Sequence, residues 1–357
     1  MPKFHKLKIR EVRRETPDCV SLSFEVPNSL KEEYQFLPGQ HLTLKTNLGD
    51  TEIRRSYSIC TSPTDGDLRV AVKQVPDGVF SSFANQRLSP GSELDVMTPM
   101  GHFTLEASPQ QQRHFVAFAA GSGITPVISM LKTVLEQEPA SHFTLFYGNR
   151  NTESIMFRDE IENLKNEYLT RLSVHHILSQ EDPGADLFYG RIDAEKCRKY
   201  CALLFDVNSI DAFFLCGPEP MIMSVKSTLL DLGVEEKRIH FELFTAAGAN
   251  GTGTTKRWTS NSGVASSKIT VTLDSKTFTY NHDQPSETIL DAASRISSDL
   301  PYACKGGVCC TCKAKVLEGQ VEMEVCYGLE REEVEAGYVL TCQSHPKTAS
   351  VVLSFDE

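Results

Sequence analysis

The stretch Cys304-Lys305-Gly306-Gly307-Val308-Cys309-Cys310-Thr311-Cys312, answered further on by Cys342, decides how the chain is read. Taken as Cys304, Cys309, Cys312 and Cys342, it is a C-x4-C-x2-C run with a distant fourth cysteine, the spacing of a [2Fe-2S] cluster. Four thiolates offset much of the charge of two irons, and so short a loop has to turn its N–H groups toward sulfur. Gly306 and Gly307 permit such a loop, because glycine takes positive φ without a Cβ clash. A structural zinc site is the alternative. Zinc sites favour two short cysteine pairs, and three ligands crowded into one loop suit them poorly. A cluster of this kind moves one electron at a time at low potential, so the rest of the chain is expected to handle a strong reductant.

The 357 residues leave room for two or three domains. With 40% hydrophobic and 23% charged residues, the composition is that of a soluble globular protein. No apolar run approaches a membrane span. Met1-Pro2-Lys3-Phe4-His5-Lys6 leads into an alternating pattern and lacks the apolar core of a signal peptide. Eleven cysteines, four of them committed to a cluster, point to a reducing compartment instead of a disulfide scaffold, and the expected location is the cytoplasm. A net charge of −11 argues against nucleic acid as a partner. From Lys268 onward there are 14 acidic against 8 basic side chains, about half of the whole excess. The run from Glu318 to Glu335 reads either as a solvated surface or as an acidic docking face for a partner protein.

Upstream, residues 1 to about 108 are β-rich. Lys6-Leu7-Lys8-Ile9-Arg10-Glu11-Val12 and Cys19-Val20-Ser21-Leu22-Ser23-Phe24 alternate apolar and polar, and turn signals recur between short runs. This predicts a small antiparallel barrel, with one helix starting at Ser81 or Ser82. From about 109 to 245 the style changes. The continuous apolar run Phe115–Ala120 enters a glycine turn and then a helical pattern from Val127. Further strands at Phe143–Tyr147, Leu172–Leu178 and Ala212–Cys216 come with a helix around Ile161–Leu164 and another after Cys216, which predicts a parallel sheet wrapped by helices. Residues 246–266 are rich in Ala, Gly, Thr and Ser and read as a flexible linker interrupted by Trp258. Strands at Ile269–Leu273 and Lys276–Tyr280 and a helix at Ile289–Ser294 then lead to the cysteine loop.

Two motif pairs carry more chemistry. Arg55-x-Tyr57-Ser58 falls on a predicted barrel strand, and Gly78-Val79-Phe80-Ser81 follows the next one. Period-two spacing puts Arg55 and Tyr57 on one face. A guanidinium clamps phosphate, an aromatic ring covers a flat heterocycle, and a helix opening at Gly78 offers free N–H groups to a pyrophosphate. Gly121-x-Gly123-x-x-Pro126 is a strand–turn–helix element without the third glycine of the usual dinucleotide fingerprint, and is weak alone. Cys216-Gly217-Pro218-Glu219-Pro220-Met221 strengthens it, although Cys216 by itself reads equally as a small buried residue at a strand end.

Together these motifs resemble the R-x-Y-S, G-x-x-S, G-x-G-x-x-P and C-G-P signatures of the ferredoxin–NADP reductase superfamily. The resemblance implies FAD, held by Arg55, Tyr57, Ser58, Lys73, Gly78, Val79, Phe80 and Ser81. It implies a pyridine nucleotide held by Gly121, Gly123, Thr125, Pro126, Cys216, Gly217 and Pro218. Glu242-Leu243-Phe244 resembles the family's terminal E-x-aromatic element, so Ser58, Cys216 and Glu242 are the implied catalytic groups and Phe244 a cofactor neighbour. Arg150 or Arg191 is placed to meet a 2′-phosphate. Ser179-Gln180 stands where relatives often have Ser-Arg. NADPH is the expected coenzyme, with NADH left open.

The order of the three regions resembles the reductase components of bacterial multicomponent oxygenases. Within them it is nearest to the reductases of ring-epoxidising diiron oxygenases of phenylacetate degradation. The runs that carry this are Arg54-Arg55-x-Tyr57-Ser58-Ile59-Cys60, Tyr147-Gly148-Asn149-Arg150, Leu300–Cys309 and Ala336–Gln343. The implied architecture is an FAD-binding antiparallel β-barrel (1–108), an NAD(P)-binding α/β domain (109–245), a linker (246–266) and a plant-type β-grasp [2Fe-2S] ferredoxin domain (267–357). The implied partner is the oxygenase component, which receives electrons that started on NADPH. The linker is expected to let the ferredoxin domain move between donor and acceptor. Another oxygenase or a hybrid-cluster protein is the rival acceptor; a non-enzymatic redox sensor has no use for the intact nucleotide motifs. Cys310 stands where relatives usually have Ala or Ser, and Cys326 has no assigned role beyond structure.

Overall fold

The computed structural model describes residues 3–244, 266–297 and 300–357. The chain divides into two units. One takes in Phe4–Ile53 and Tyr57–Phe244, and the other Met1–Lys3, Arg54–Ser56 and Thr245–Glu357. Residues 246–265 of the expected linker, Trp258 among them, lie outside the described residues.

The first unit opens with strands β1 (Phe4–Thr16), β2 (Cys19–Glu25), β3 (His41–Leu48), β4 (Thr51–Ser58) and β5 (Leu68–Lys73). Helix α1 (Val79–Gln86) and strand β6 (Glu93–Met97) follow. Alternation sets the faces: Leu7 and Ile9 are buried while Lys6, Lys8 and Arg10 are exposed. The sheet order is β4-β3-β6-β1-β2-β5, and an isolated antiparallel bridge between Ile59 and Val70 joins the chain just after β4 to β5 at the other edge. That bridge closes the sheet into the expected barrel around Leu7, Leu22, Val70, Phe80 and Val96. Helix α1 begins at Val79 with Gly78 as N-cap, two residues before the expected start. Ser81 is therefore no cap. Its hydroxyl accepts from Val75 N–H at 3.2 Å and donates to the Gly78 carbonyl, pinning the turn from inside.

The same unit continues with β7 (His114–Ala120), α2 (Ile124–Gln137), β8 (His142–Asn149), α3 (Arg158–Glu167) and β9 (Leu172–Leu178). It ends with α4 (Ala194–Leu203), β10 (Ala212–Gly217), α5 (Glu219–Asp231) and β11 (Ile239–Leu243). All five strands are parallel in the order β11-β10-β7-β8-β9. Helix α2 starts three residues earlier than its apolar pattern, at Ile124. Helix α4 has no counterpart in the sequence reading. Only Cys197 and Tyr200 of its ten residues are buried, so its apolar stripe is too thin to show. It is fixed by Asp193, which accepts from Lys196 N–H at 2.9 Å, and by Tyr200, whose ring stacks 4.5 Å from Phe146.

The second unit contains β12 (Ser267–Leu273), β13 (Lys276–His282), α6 (Ile289–Ser294), β14 (Lys313–Glu318) and β15 (Val321–Met323). Then come α7 (Arg331–Glu335), β16 (Tyr338–Leu340), β17 (Ser344–Pro346) and β18 (Ser350–Ser354). Its main sheet runs β13-β12-β18-β14-β16, parallel only between β12 and β18, and β15 pairs with β17. Ile269, Val271, Leu290, Leu340, Val351 and Leu353 form its core. No helix among the described residues is long and apolar enough to cross a membrane.

Candidate functional site

Three groups of the expected residues gather in three places. The first is the end of β4 with α1. The Tyr57 ring lies 5.6 Å from that of Phe80, so the two expected flavin motifs meet through their aromatic members. Val79, Phe80 and Ser81 occupy the first turn of an eight-residue helix, where N–H groups have no intrahelical acceptor. That is a donor set suited to a pyrophosphate. Arg55 turns its guanidinium to the Arg54 carbonyl, at 2.7 Å. Ser58 is buried and donates to Glu242 Oε2 at 3.2 Å, joining the barrel to the last strand of the parallel sheet.

Glu242 keeps some residue surface open, but its carboxyl is enclosed. Burial pushes its pKa up to about 8, against the opposing hydrogen bond from Ser58. Cys216 is its register partner on β10, fully buried, with its thiol pushed up first by burial and then by the Glu242 charge. Ser58, Cys216 and Glu242 thus stand as one contiguous polar set at the C-terminal edge of β10 and β11.

The second place is a cavity of about 700 Å³ across the C-terminal ends of the parallel strands. In open α/β sheets this crevice, where strand order reverses, is where nucleotides bind. Here the reversal falls between β7 and β10, and Gly121 and Gly217 from those two strand ends are both in the wall. Of the remaining expected residues, Lys73, Arg150, Ser179, Arg191, Pro218 and Phe244 also line it. Gly123, Thr125, Pro126 and Cys216 lie behind the wall. A Cβ on Gly123 would come within 2.1 Å of the Cys216 carbonyl oxygen, so this glycine allows the turn after β7 to press against the end of β10. The Thr125 hydroxyl caps locally, donating to Ser122 O at 3.0 Å. Gln180 is exposed and outside the wall; its backbone N–H donates to Arg150 O at 2.7 Å. Arg150 and Lys73 reach the same carboxylate, Asp18 Oδ2, at 3.2 Å and 3.8 Å. Asn149 and Asp193 are wall residues that the sequence reading leaves unassigned. Asn149 belongs to the run Tyr147–Arg150 and Asp193 lies close after Arg191, so position relative to a strand end is the available signal.

The third place is the cysteine loop. Gly306 N–H points to Cys304 Sγ at 3.3 Å and Cys304 N–H to Cys309 Sγ at 3.4 Å, the amide-to-sulfur geometry that a cluster needs. Gly307 has φ of +74°, but Gly306 has no positive φ. The loop instead turns through Lys305 at +51° and Cys310 at +54°. Cys304 is held below the ordinary thiol range first by its hydrogen bond with Cys309, then by the N–H groups of Gly306, Val308 and Cys309. Cys342 is lowered first by Cys312, then by Gly307 N–H and Gln343. The four thiols therefore pair as Cys304 with Cys309 and Cys312 with Cys342. Among the described residues, no three His, Cys, Asp or Glu side chains form a set for one metal ion. Two thiol pairs suit a cluster in which each of two irons would take two protein ligands. Cys310 turns away and donates to the Gly328 carbonyl, its thiol pushed up to about 12 by burial. Cys326 packs at the edge of the core of this unit.

Three domain families match the chain: an oxidoreductase FAD-binding domain at residues 6–105, an oxidoreductase NAD-binding domain at 118–227 and a 2Fe-2S iron-sulfur cluster binding domain at 271–347. The chain is 45% identical, over 100% of its own length and 99% of the relative's, to one of the subunits of 1,2-phenylacetyl-CoA epoxidase from Escherichia coli K12. It is 35% identical, over 98% and 96%, to the ferredoxin reductase component of 3-ketosteroid-9-alpha-monooxygenase from Rhodococcus rhodochrous. Among solved structures, phthalate dioxygenase reductase shares the fold, with a TM-score of 0.57 and 22% identity over 99% of this chain and 98% of that one.

Proposed function

The chain belongs to the family of oxygenase reductases that carry FAD-binding, NAD-binding and 2Fe-2S domains on one polypeptide, and we propose that it passes electrons from NADPH to the oxygenase component that epoxidises phenylacetyl-CoA. As a member it is an NAD(P)H-dependent oxidoreductase. The single observation that carries the choice of acceptor is the 45% identity from end to end with the epoxidase subunit.

Bound FAD and a [2Fe-2S] cluster supply the conversion of a two-electron hydride donor into single electrons. The chain's own work is to bind, orient and hold protons. Gly121 and Gly217 let backbone approach the coenzyme at the strand ends, while Lys73, Arg150 and Arg191 offer it positive charge. Phe244 in the cavity wall, with Cys216 just behind it, would flank a bound nicotinamide. Glu242 holds a proton at its carboxyl through neutral pH and takes the Ser58 hydroxyl as donor. Cys304, Cys309, Cys312 and Cys342 ligate the iron. The domain limits we propose are 1–108, 109–245 and 267–357, joined by residues 246–266.

The test has two stages. An anaerobic visible spectrum of the purified chain should show flavin and iron–sulfur bands, both bleached by NADPH. Combined with the purified oxygenase component of phenylacetyl-CoA epoxidation, the chain should then support oxygen uptake that requires NADPH and phenylacetyl-CoA together. Bleaching without that uptake, alongside support of a steroid or ring-hydroxylating oxygenase, would move the chain to another acceptor.

A further inference from the structure

Asn149 ends β8, the second strand of the parallel sheet in chain order, and stands in the cavity wall between Gly148 and Arg150. It is 9% exposed, and neither Oδ1 nor Nδ2 has a hydrogen-bond partner among the described residues. The Tyr147 hydroxyl, which donates to Gly121 O at 3.0 Å, lies beside the amide without reaching hydrogen-bond geometry to it. A buried amide with both ends unpaired is costly in a folded protein and calls for an explanation such as a ligand.

The amide's chemistry narrows that ligand. It offers one acceptor and one donor group. A phosphate only accepts, so it would satisfy Nδ2 and leave Oδ1 unpaired. A ribose hydroxyl both donates and accepts, so a vicinal diol satisfies both ends, and so does a 3′-hydroxyl donating to Oδ1 beside a 2′-phosphate accepting from Nδ2. Position narrows it again. In dinucleotide folds the residue beyond the second strand that reads the adenosine ribose is commonly Asp or Glu, whose charge favours a free 2′-hydroxyl over a 2′-phosphate. Asn149 has the shape of that carboxylate without its charge, and the next residue is a cation.

We propose that Asn149 reads the adenosine ribose of the coenzyme, and that its neutral amide in place of a carboxylate is what admits NADPH. The proposal rests on the reading of the chain as a pyridine-nucleotide reductase, but not on which oxygenase it serves. Asn149 is a specificity residue: it acts on affinity and coenzyme choice and leaves the hydride step alone.

The test is calorimetric titration of the full chain, with its bound cofactors, by two adenosine fragments, 5′-AMP and adenosine 2′,5′-bisphosphate. Asn149→Asp is nearly isosteric and should preserve the visible spectrum. It should hold 5′-AMP within about threefold of wild type and weaken the bisphosphate by roughly 30-fold or more, since a like charge then faces the 2′-phosphate. Asn149→Ala should weaken both fragments about equally, by roughly tenfold. In parallel, the NADPH-to-NADH ratio of kcat/KM for flavin bleaching should collapse in the Asp variant and stay near wild type in the Ala variant. Equal loss of both fragments in Asn149→Asp, or wild-type affinity for both in Asn149→Ala, would overturn the proposal. Failure of wild type to bleach with either coenzyme would instead strike the reductase reading, and the fragment titrations would still decide Asn149.

Discussion

In the cysteine loop, three of the four expected ligands fall between Cys304 and Cys312, and their organising contacts are backbone N–H groups aimed at sulfur. In the nucleotide cavity, the wall is drawn from strand ends and turns spread between Lys73 and Phe244, and no single residue dominates it. The difference is one of chemistry. Iron needs thiolates, which few residue types supply, so each ligand is all or none. A dinucleotide is held by many weak, exchangeable contacts, so each wall residue contributes a fraction. Substitutions in the two regions should therefore differ in kind as well as in size.

The largest effect is expected in the loop. Cys312 is 2% exposed and pairs with Cys342. Cys312→Ser should abolish the iron–sulfur absorption and cut electron delivery to a protein acceptor by at least ~100-fold, while flavin bleaching by NADPH survives. Cys310→Ser is the control that makes this sharp. Cys310 faces the Gly328 carbonyl, so its loss should leave the cluster spectrum intact. If the spectrum vanished with Cys310 and persisted without Cys312, the two-pair ligand set would be wrong.

Glu242 comes next, because its carboxyl lies where the barrel and the parallel sheet meet. Burial raises its pKa to about 8, above the ordinary carboxylate value. Between that ordinary value and about 8 the folded chain keeps a proton that the unfolded chain has released. Its contribution to stability is complete below the ordinary range and is lost as pH rises through about 8. Glu242→Gln is neutral throughout and should remove this slope, which urea unfolding at pH 6 and pH 9 would reveal. In stopped-flow reduction by NADPH, the wild-type rate should fall above pH 8, and the variant should be flat and slower by roughly 10²-fold. A variant with the wild-type pH profile would assign the titration to another group.

The same contrast explains what is legible in the sequence. The cluster loop is legible because cysteine spacing is itself the ligand geometry, and period-two alternation in β1 is legible because one face is buried. The start of α1 is harder to place because serine at an N-cap is the common case. Here Gly78 caps, and Ser81 uses its hydroxyl inside the first turn. Helix α4 escapes a reading by pattern because two buried residues in ten carry no visible period. The cavity is half legible. Gly121, Gly123 and Gly217 mark backbone approach and leave a trace, whereas Asn149 and Asp193 matter only because parallel strands end beside each other. The pairing of Arg150 and Lys73 with Asp18 leaves no trace in sequence, since it joins a barrel turn to residues far along the chain.

That pairing yields the smallest effect. Asp18 Oδ2 receives Arg150 Nη2 at 3.2 Å and Lys73 Nζ at 3.8 Å, and Thr16 Oγ1 donates to its other oxygen at 2.7 Å. Arg150, expected to meet coenzyme phosphate, and Lys73, which lines the same cavity, are thus held by a carboxylate that a phosphate must displace or share. Arg150 is well exposed, so solvent screens the pair, and its removal is worth about 0.2–1 kcal/mol at most. Asp18→Asn should therefore lower the KM for NADPH by about two- to threefold, with a smaller change for NADH, and the gain should disappear at high salt. An equal gain for both coenzymes would mean that the freed cations act on the shared pyrophosphate. Discrimination at the 2′ position would then lie with the end of β8, and the cavity would be more local than the spread of its wall suggests.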